Sequence, residues 1–358
     1  MRVALTLEQC WGAVPGGTAT SALALAKALT ELGVDVVGVA ARHARAPATP
    51  YEPSVPVVHL PLPRLALYEA WQRLRWPEVQ RATGPVDLVH GTTMAVPPKS
   101  GPLVLTIHDL AFLADPTHFT RRGMGFFTRG LSLALRDADL VLVPSEAVQI
   151  DCVAAGFAPD RLRVVPHGVN SRLATADDVA RVRAAYGLSG PYVLWTGTRE
   201  PRKNLAGLLR AFQAVEADVD LVVVGPQGWG EDLGPLLQST ARVRVTGFVP
   251  DADRDALYAG AEVFAFPSLR EGFGLPVLEA MSQGTPVVTS AGTAMAEFAV
   301  GSLVDPTDSA SLATALEQML ADDSGRARLG DQARAKALTM TWPRAAQATL
   351  EAYDSLVG

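Results

Sequence analysis

The sequence predicts an α/β protein made of two doubly wound domains with parallel sheets. Short apolar runs that are typical of buried strands alternate with helix-like segments from Arg2 to about Val165, and the alternation resumes at about Pro191. Such alternation is typical of parallel sheets covered by helices. The chain has 358 residues, 48% of them hydrophobic, which is enough to bury two ordinary cores. No repeat or low-complexity tract interrupts the pattern.

The expected domain boundaries follow from turn-forming residues. Pro166 and Gly168 punctuate the segment 164–170, and a polar, helix-like stretch follows it as far as Tyr186. This arrangement is typical of a linker between domains. A further helix is expected from about Thr341. The predicted divisions are a first domain at 1–172, a second domain at 173–340 and a C-terminal helical segment at 341–358.

The first candidate loop lies between a strand at residues 2–7 and a helix that is expected at 20–32. Gly16 and Gly17 stand between them, and paired glycines before a helix let the backbone approach a phosphate closely. Gly-Gly also occurs in ordinary turns, which is the alternative interpretation. The spacing does not fit the G-x-G-x-x-G pattern of dinucleotide-binding proteins, which argues against a simple dehydrogenase.

His108 and Asp109 follow an apolar run at residues 103–107. Open α/β sheets bind ligands at the carboxyl ends of their strands, so this position favours a functional site. A lone histidine is more often structural, and Asp109 has the alternative role of holding its own loop. The other histidines have no comparable setting.

A third loop carries two adjacent cations. The apolar run 192–195 leads into the segment 196–204, and an amphipathic stretch follows at 205–212. Arg202 and Lys203 stand at the start of that predicted helix, where positive charges oppose the helix dipole. They are misplaced there unless an anion lies between them and the helix, and a diphosphate is the natural candidate. An exposed basic loop is the alternative.

Two carboxylates frame the fourth loop. Residues 262–268 are typical of a buried parallel strand, and Glu271 and Glu279 then stand on either side of a turn that opens a helix. Gly272 and Gly274 allow backbone conformations that bring amide N–H groups close to an anion. Glu279 falls about one turn into the helix, where it would reach neutral hydroxyls such as those of a ribose. The alternative is a solvated loop carboxylate followed by a glutamate that only favours the helix start.

Residues 271–279 resemble the Glu-x7-Glu motif of retaining glycosyltransferases of family 4, which have the GT-B fold. The resemblance covers nearly the whole chain. It implies two Rossmann-like, doubly wound domains that face each other across a central cleft. The first domain would be the acceptor side, the second would bind the nucleotide sugar, and the C-terminal helix would cross back onto the first.

The resemblance also implies residue roles. In that family the first carboxylate of the motif contacts the donor sugar and the second contacts the nucleotide ribose, which gives these roles to Glu271 and Glu279. The expected catalytic residues are His108, Arg202, Lys203 and Glu271. The expected donor-binding residues are Gly16, Gly17, Thr198, Arg202, Lys203, Glu271, Gly272, Phe273, Gly274, Leu275 and Glu279. The acceptor-side candidates are His108 and Asp109.

One position departs from the family pattern. Many members carry an arginine directly after the first glycine of the segment that matches 196–204, whereas Thr198 stands there in this chain. We therefore assign the diphosphate-binding guanidinium to Arg202, with Arg199 as the alternative.

The donor and the acceptor are expected from the same resemblance. The Pro-Arg-Lys-Asn sequence at 201–204 looks most like the mannosyltransferase branch, which implies GDP-mannose as the donor. Transfer of glucosyl or N-acetylglucosaminyl groups from UDP-sugars stays open. The acceptor is expected to be a hydroxyl of a saccharide, a glycolipid or another small molecule.

Two functions of other classes are alternatives. One is a GT-B-like sugar-nucleotide epimerase, which needs additional acid and base groups that do not stand out here. The other is a non-catalytic sugar-nucleotide-binding subunit, against which the joint presence of both motif carboxylates with Lys203 and His108 argues.

The sequence predicts no required metal and no cofactor besides the nucleotide sugar itself. Asp-x-Asp pairs hold divalent ions in another glycosyltransferase architecture, but Asp251 and Asp253 precede a predicted helix, so helix capping explains them. Arg202, Lys203 and helix amides would neutralise the diphosphate instead. The chain has only 2 cysteines, with no disulfide framework and no zinc spacing.

Charge and hydropathy constrain the partners. The formal net charge is −6 and no dense basic stripe is present, which disfavours nucleic acid. No apolar stretch is long enough to span a bilayer and Met1 runs straight into a strand without a signal-peptide pattern, so we expect a cytoplasmic protein. Aromatic and arginine residues mix at helical spacing in 64–76 and 121–129. These stripes could contact a lipid-linked acceptor or the inner face of a membrane, and ordinary core-facing helices are the alternative.

Overall fold

A computed structural model describes residues 1–12, 15–170, 172–230, 232–240 and 242–358, without the side chain of His118. The described chain forms two compact units. The first unit comprises Met1–Gly168 together with Trp342–Gly358, and the second comprises Val169–Thr341. The functional division into an acceptor-side domain and a nucleotide-sugar domain stays a prediction.

The first unit is built on a parallel sheet. Its strands are β1 Arg2–Thr6, β2 Asp35–Ala40, β3 Val57–His59, β4 Leu88–Gly91, β5 Leu103–Thr106, β6 Leu140–Val143 and β7 Leu162–Val164. Their order in the sheet is β3-β2-β1-β4-β5-β6-β7. The order reverses between β1 and β4, and the carboxyl ends of strands at such a switch point are where open α/β sheets bind ligands.

The second unit repeats this architecture. Its strands are β8 Tyr192–Thr196, β9 Asp220–Val224, β10 Val243–Gly247, β11 Val263–Phe266, β12 Val287–Ser290 and β13 Gly301–Val304. They pair in parallel in the order β10-β9-β8-β11-β12-β13. The switch point therefore lies between β8 and β11.

Helices connect the strands in both units. In chain order they are α1 Gly16–Glu31, α2 Arg64–Arg73, α3 Gln80–Thr83, α4 Ala111–Ala114, α5 Arg121–Asp137, α6 Glu146–Ala154, α7 Ala176–Ala185, α8 Leu205–Phe212, α9 Gly234–Ser239, α10 Asp251–Ala259, α11 Leu275–Ser282, α12 Ser309–Ala321, α13 Asp323–Ala337 and α14 Trp342–Val357. Short 3-10 turns lie at Glu8–Trp11, Pro116–His118, Pro159–Arg161, Pro201–Lys203 and Ala294–Glu297.

Each unit has its own hydrophobic core. Strands β4, β6, β8 and β11 are buried along their whole length, as expected for parallel strands covered on both faces. Trp71 and Phe112 lie in the first core, and Trp195 and Phe266 lie in the second. The two buried sheets hold the loops at their carboxyl ends in defined positions.

Two local predictions were wrong. Helix α1 begins at Gly16, so Gly16 and Gly17 are its first residues and not a loop before it. Asp251 and Asp253 do not cap α10, because Pro250 occupies the cap position and no side chain accepts a capping hydrogen bond there. Asp251 pairs with Arg254 instead, with 2.9 Å between Oδ1 and Nη1.

Candidate active site

Residues that follow two neighbouring strands of the second unit form an ion-pair cluster. Strands β8 and β11 are adjacent, so their carboxyl ends lie side by side. Arg202 and Lys203 follow β8, and Glu271 follows β11. One Glu271 oxygen lies 2.9 Å from Arg202 Nη1, and the other lies 3.4 Å from Lys203 Nζ. The structure thus brings three of the predicted site residues into direct contact.

The Glu271 carboxylate is held ionised in this cluster. Its side chain is 10% exposed, and burial, the largest influence, would by itself raise its pKa. Arg202 and Lys203, together with hydrogen bonds from Arg202 and the Ser268 hydroxyl, outweigh burial and hold the pKa of Glu271 below its ordinary value. At neutral pH Glu271 is therefore an anionic hydrogen-bond acceptor.

Arg202 has further partners. Its Nη2 lies 2.8 Å from Glu200 Oε1, and its Nη1 donates to the carbonyl of Arg270 over 2.9 Å. The sequence predicted that an anion compensates the two cations at the start of α8. In the structure Glu271 and Glu200 supply that negative charge, so a bound diphosphate would share Arg202 with them.

Lys203 is held by packing as well as by charge. Its side chain is 14% exposed, and its Nζ lies 5.0 Å from the centre of the Phe266 ring. Gly197, at a φ of +147°, makes room for the stem, because a Cβ there would lie 2.9 Å from Lys203 Cδ. A glycine at the end of β8 therefore sets the path of the lysine.

Thr198 and Arg199 lie in the turn between β8 and Arg202. The Thr198 carbonyl accepts the N–H of Glu200 over 2.9 Å. Arg199 has no carboxylate partner among the residues that the structure describes, and its Nε is buried without a hydrogen bond. Because no carboxylate of the described residues neutralises it, Arg199 remains a candidate for a second guanidinium that binds an anion.

Asn204 and Ser268 join the two loops, and the sequence interpretation gave neither a role. Asn204 caps α8 by accepting the N–H of Gly207 over 3.2 Å, and its amide donates to the carbonyls of Pro267 and Pro306. The Ser268 hydroxyl lies 2.9 Å from the Arg202 carbonyl and 3.1 Å from Glu271 Oε1. An asparagine directly before an amphipathic run is a helix-start signal that predicts the cap, but nothing local predicts the cross-loop bonds.

The loop before α11 presents backbone amides. Gly274 is the N-cap residue at a φ of +99°, and the N–H groups of Gly274 and Leu275 have no hydrogen-bond partner within the described chain. Gly272 is buried in the same loop, and the Phe273 ring stacks on Phe298 with 4.9 Å between centroids. The Phe273 side chain therefore packs inside the protein, which leaves only its backbone for contact with a ligand. The N–H groups at the start of α11 are suited to binding an anion.

Glu279 lies in a separate hydrogen-bonded network. Tyr258 donates its hydroxyl to one Glu279 oxygen over 3.1 Å, and Arg254 Nη2 lies 3.4 Å from the other. The Thr196 hydroxyl lies 2.7 Å from the Tyr258 oxygen. Burial raises the pKa of Tyr258 well above its ordinary value, so the phenol stays a donor. The network links Glu279 to the last residue of β8.

The remaining predicted residues lie in the first unit. Gly16 and Gly17 are in the first turn of α1, and Gly16 has a φ of +62°. Asp109 accepts the N–H of Ala111 over 3.0 Å, which supports the loop-holding role. His108 Nε2 lies 3.1 Å from the Thr92 carbonyl, which can only accept, so Nε2 carries the proton.

His108 is a neutral imidazole with one lone-pair nitrogen. Burial, the largest influence, holds the pKa of His108 below its ordinary value, although Asp109 and the bond to Thr92 act in the opposite direction. Its ring centroid lies 5.5 Å from that of His167. Such an imidazole can accept a hydrogen bond from a hydroxyl.

The described part of the chain contains no group of three or more histidine, cysteine, aspartate or glutamate side chains placed to hold a metal ion.

Two family models match the chain. Residues 15–173 match the model described as Glycosyltransferase Family 4, and residues 190–322 match Glycosyl transferases group 1. The O-antigen chain mannosyltransferase B of Escherichia coli is 32% identical over 289 residues, which are 75% of this chain and 74% of the relative. The chain belongs to glycosyltransferase family 4. It is a glycosyltransferase.

Other relatives of this glycosyltransferase differ in the substrates that their names give. The MMP alpha-(1->4)-mannosyltransferase of Mycolicibacterium hassiacum is 31% identical over 301 residues, covering 76% of this chain and 72% of the relative. A D-inositol 3-phosphate glycosyltransferase of Xylanimonas cellulosilytica is 30% identical over 385 residues, covering 94% and 91%.

Solved structures confirm the predicted GT-B fold. The Anabaena protein HepE, crystallised with UDP and glucose, has a TM-score of 0.79 and 22% identity, covering 99% of this chain and all of its own. WaaG, a glycosyltransferase involved in lipopolysaccharide biosynthesis, has a TM-score of 0.75 and 19% identity, covering 99% of this chain. At these identities the likeness concerns the fold alone.

Proposed function

We propose that this glycosyltransferase moves a mannosyl group from GDP-mannose to a hydroxyl of a saccharide or glycolipid, with retention of the anomeric configuration. The observation that carries the choice of donor is the 32% identity to the O-antigen chain mannosyltransferase B. The second mannosyltransferase, at 31% identity, supports the same choice. The Pro-Arg-Lys-Asn sequence at 201–204 agrees with it.

The proposed reaction places charge where the second unit has complementary groups. The acceptor oxygen forms a bond to the anomeric carbon while the bond from that carbon to the phosphate oxygen breaks. GDP leaves with the electron pair, and its phosphate oxygen takes the acceptor proton. Lys203, Arg202 and the free N–H groups at the start of α11 would stabilise the departing diphosphate.

Glu271 and Glu279 would orient the donor. Glu271 is ionised beside both cations, so it can accept hydrogen bonds from sugar hydroxyls next to the diphosphate. Glu279, held by Tyr258 and Arg254, would accept those of the ribose. Placing the reacting centres in this way lowers the barrier without a protein nucleophile.

We also propose that the reaction needs no divalent metal. Arg202 and Lys203 both pair with Glu271, in the loop that leads to the start of α11, where the N–H groups of Gly274 and Leu275 have no partner within the described chain. Together they offer the charge that a metal ion supplies to a diphosphate in other enzymes.

UDP-sugar-dependent transfer is the second candidate. HepE, with the same fold, was crystallised with UDP and glucose, and the chain is also 30% identical to a D-inositol 3-phosphate glycosyltransferase. The two donor classes differ in the nucleobase, which a binding experiment distinguishes directly.

Calorimetric titration of the whole protein with GDP-mannose, GDP, UDP-glucose, UDP-N-acetylglucosamine and UDP, with and without EDTA, tests the donor and the metal together. We expect EDTA-insensitive binding of GDP and GDP-mannose and at least tenfold weaker binding of the uridine nucleotides. Tighter binding of UDP and its sugars would replace the mannosyl proposal with the second candidate. Loss of binding in EDTA would overturn the metal-free proposal.

Retention is tested by the product. With methyl α-D-mannoside as a probe acceptor, NMR of the disaccharide should show a new α-linkage from the α-linked donor. A β-linkage would contradict the proposed stereochemistry.

Membrane contact is the remaining part of the proposal. In the described chain, no helix combines the length and apolar character needed to cross a bilayer. In the 121–129 stripe, Phe127 stacks on Phe112 and Phe126 packs on Tyr68, as in a core-facing helix. In the 64–76 stripe, Leu65 and Leu74 are 61% and 73% exposed, and the exposed Arg73, which pairs with Glu69, directly precedes Leu74.

We expect the protein to bind vesicles that contain an anionic lipid through the 64–76 stripe, because exposed apolar side chains beside cations favour such surfaces. Co-sedimentation with phosphatidylglycerol vesicles should fall severalfold in a Leu65→Ser, Leu74→Ser double variant. Ile150→Ser, which removes another strongly exposed apolar side chain, is the matched control. Equal binding by all three proteins would exclude the 64–76 stripe.

A further inference from the structure

A buried histidine of the first unit has a position that the proposed reaction does not use. His90, in β4, is fully buried. Its Nδ1 lies 2.6 Å from the Tyr353 hydroxyl, and its Nε2 lies 2.7 Å from the Thr106 hydroxyl. Tyr353 belongs to α14, and Thr106 ends β5, two residues before His108. His90 thus connects the C-terminal helix to the strand that carries His108.

The hydrogen bonds that join Tyr353, His90 and Thr106 all point the same way, from Tyr353 toward Thr106. Burial raises the pKa of the Tyr353 phenol beyond its ordinary value, so the phenol keeps its proton, and His90 is its hydrogen-bond partner in the described structure. Tyr353 therefore donates to His90 Nδ1. Burial also lowers the pKa of His90 to about 3, so the ring is neutral and its single proton is on Nε2. His90 then donates to Thr106.

The Thr106 hydroxyl is left with a proton to donate. Its oxygen accepts from His90, and no protein acceptor for its own proton is found within the described residues. Thr106 lines a cavity of about 30 Å³, together with Thr92, His108 and His167. The wall is mostly apolar, but this volume is enough for one water molecule, to which Thr106 offers a donor and His108 an acceptor. A water molecule in this cavity would bridge the Thr106 hydroxyl to the lone pair of the His108 imidazole.

We propose that Tyr353 and His90 are positioning residues for His108. Their oriented hydrogen bonds turn the Thr106 hydroxyl toward the cavity, where it donates through water to the lone-pair nitrogen of His108. This bond holds the neutral ring in one orientation with Nε2 on the Thr92 carbonyl. The importance of this role for sugar transfer rests on the proposed acceptor-side function of His108. The hydrogen bonds themselves can be tested without any substrate.

The surroundings of His108 simplify the test. The titratable groups that face it are Asp109 on its own segment, His90 from β4 and His167 from the segment after β7. Helix α14 contributes Trp342, Ala345 and Thr349 to the cavity wall, none of which is charged. A change of the His108 pKa after a mutation in α14 therefore cannot come from a lost charge, which leaves hydrogen bonding and burial as its causes.

The experiment is imidazole ¹⁵N NMR of the whole protein, with each histidine assigned by its loss in a His→Gln variant. We expect His90 to be the neutral Nε2–H tautomer between pH 5 and 8. A donor to the lone pair of His108 stabilises its neutral form, so Tyr353→Phe and Thr106→Val should each raise the pKa of His108. The expected rise is about half a pH unit, the effect of losing one neutral hydrogen bond.

Matched controls separate this role from simple packing. Thr349→Val alters the same cavity wall, but its hydroxyl donates to the Ala345 carbonyl and has no proton for the cavity. Tyr192→Phe removes a buried tyrosine hydroxyl that donates to the Leu257 carbonyl in the second unit. Both should leave the pKa of His108 unchanged.

Three results would overturn the proposal: a His90 Nδ1–H tautomer, an unchanged His108 pKa in Thr106→Val, or the same rise in Thr349→Val. If Tyr353→Phe fails to fold, Thr106→Val decides alone. Failure of nucleotide binding, which concerns the second unit, would refute the proposed donor site without changing these spectra.

Discussion

Glu271 connects the loop that follows β8 to the loop that follows β11 in the second unit. It pairs with both Arg202 and Lys203, and it also accepts from Ser268. In the proposed donor complex, the diphosphate would compete with this carboxylate for the two cations. Binding of the donor should therefore loosen the ion pairs and free Glu271 oxygens for the sugar hydroxyls.

Lys203→Ala and Glu279→Ala should each weaken GDP binding about tenfold, the effect of losing one hydrogen bond to a charged group. Lys203 would contact the diphosphate, and Glu279 would contact the ribose. Calorimetric titration with GDP measures the loss, and circular dichroism checks that the fold is kept. Lys336→Ala, at an exposed position on α13, is the control. Unchanged affinity in both variants would show that the site has been misplaced.

For single residues, the sequence predicts which positions belong to the candidate site better than it predicts which residues they contact. The placement of Arg202, Lys203 and Glu271 at the ends of strands follows from local patterns, and the structure brings them together. Their mutual ion pairs do not follow, because the sequence does not give the neighbour order of β8 and β11. The bond between His90 and Tyr353 is invisible for the same reason: the two residues are 263 positions apart.

Among the elements, the start of α11 is the one whose backbone carries the proposed function. Gly274 has a φ of +99°, and a Cβ there would lie 2.4 Å from Met295 Cγ, which is fully buried. Two independent features therefore require glycine: a left-handed backbone and a close neighbour. Both features fix the direction of the N–H groups of Gly274 and Leu275 at the start of α11.

Gly274→Ala should destabilise the protein and weaken GDP binding. The left-handed backbone alone costs an alanine about 1–2 kcal/mol, and the contact with Met295 adds to this. Gly292→Ala is the control, because Gly292 has a φ of +68° and nothing within 4 Å of its Cβ position. Urea unfolding and GDP titration measure the two effects. Equal losses in both variants would show that the Met295 contact is unimportant.

Element boundaries were predicted well where a polar cap precedes a clear apolar period. Helix α8 spans the predicted residues 205–212 because Asn204 marks its start. Helix α1 begins earlier than predicted, at Gly16, despite the low helix propensity of glycine. In this first turn the hydroxyls of Thr18 and Thr20 donate to the carbonyls of Pro15 and Gly16. Pro250 takes the cap position of α10 because the chain is extended there, which leaves Asp251 and Asp253 for ion pairs.

At the scale of the whole molecule, the stability of the first unit depends on pH through His90, which is fully buried, and through His108 and His167, which are partly buried. Burial lowers the pKa of His90 and of His167 to about 3, and that of His108 in the same direction. The unfolded chain binds protons at these residues below about pH 6.5, whereas the folded unit does not. Stability is therefore present above the unfolded pKa and falls as the pH drops toward the folded values.

Below about pH 6, the free energy of unfolding of the first unit should fall on acidification with a slope that approaches about 1.4 kcal/mol per pH unit for each histidine that stays neutral. Urea unfolding between pH 7.5 and 5, followed by hydrogen exchange in peptides from β4 and β5, reports on this unit alone. His90→Gln should give a shallower slope than the wild type. Parallel curves for the two proteins would mean that His90 is protonated in the folded state.

The two-unit architecture was predictable from the alternation of strands and helices, because that pattern repeats along the whole chain. The strand orders were not, since equal patterns fit several topologies. The donor nucleobase and the acceptor also lie beyond the pattern, because they depend on side-chain positions in loops.

The first unit is discontinuous in the chain: α14 joins it only after the whole of the second unit has been made. During synthesis, residues 1–168 therefore leave the ribosome before Trp342 and Tyr353 have been made. Until then His90 has no phenol as a hydrogen-bond partner, and the apolar face that α14 covers is exposed to water. Chaperones would meet this nascent intermediate before the last helix emerges. A premature stop codon near residue 341 should thus damage the start of the protein as severely as its end.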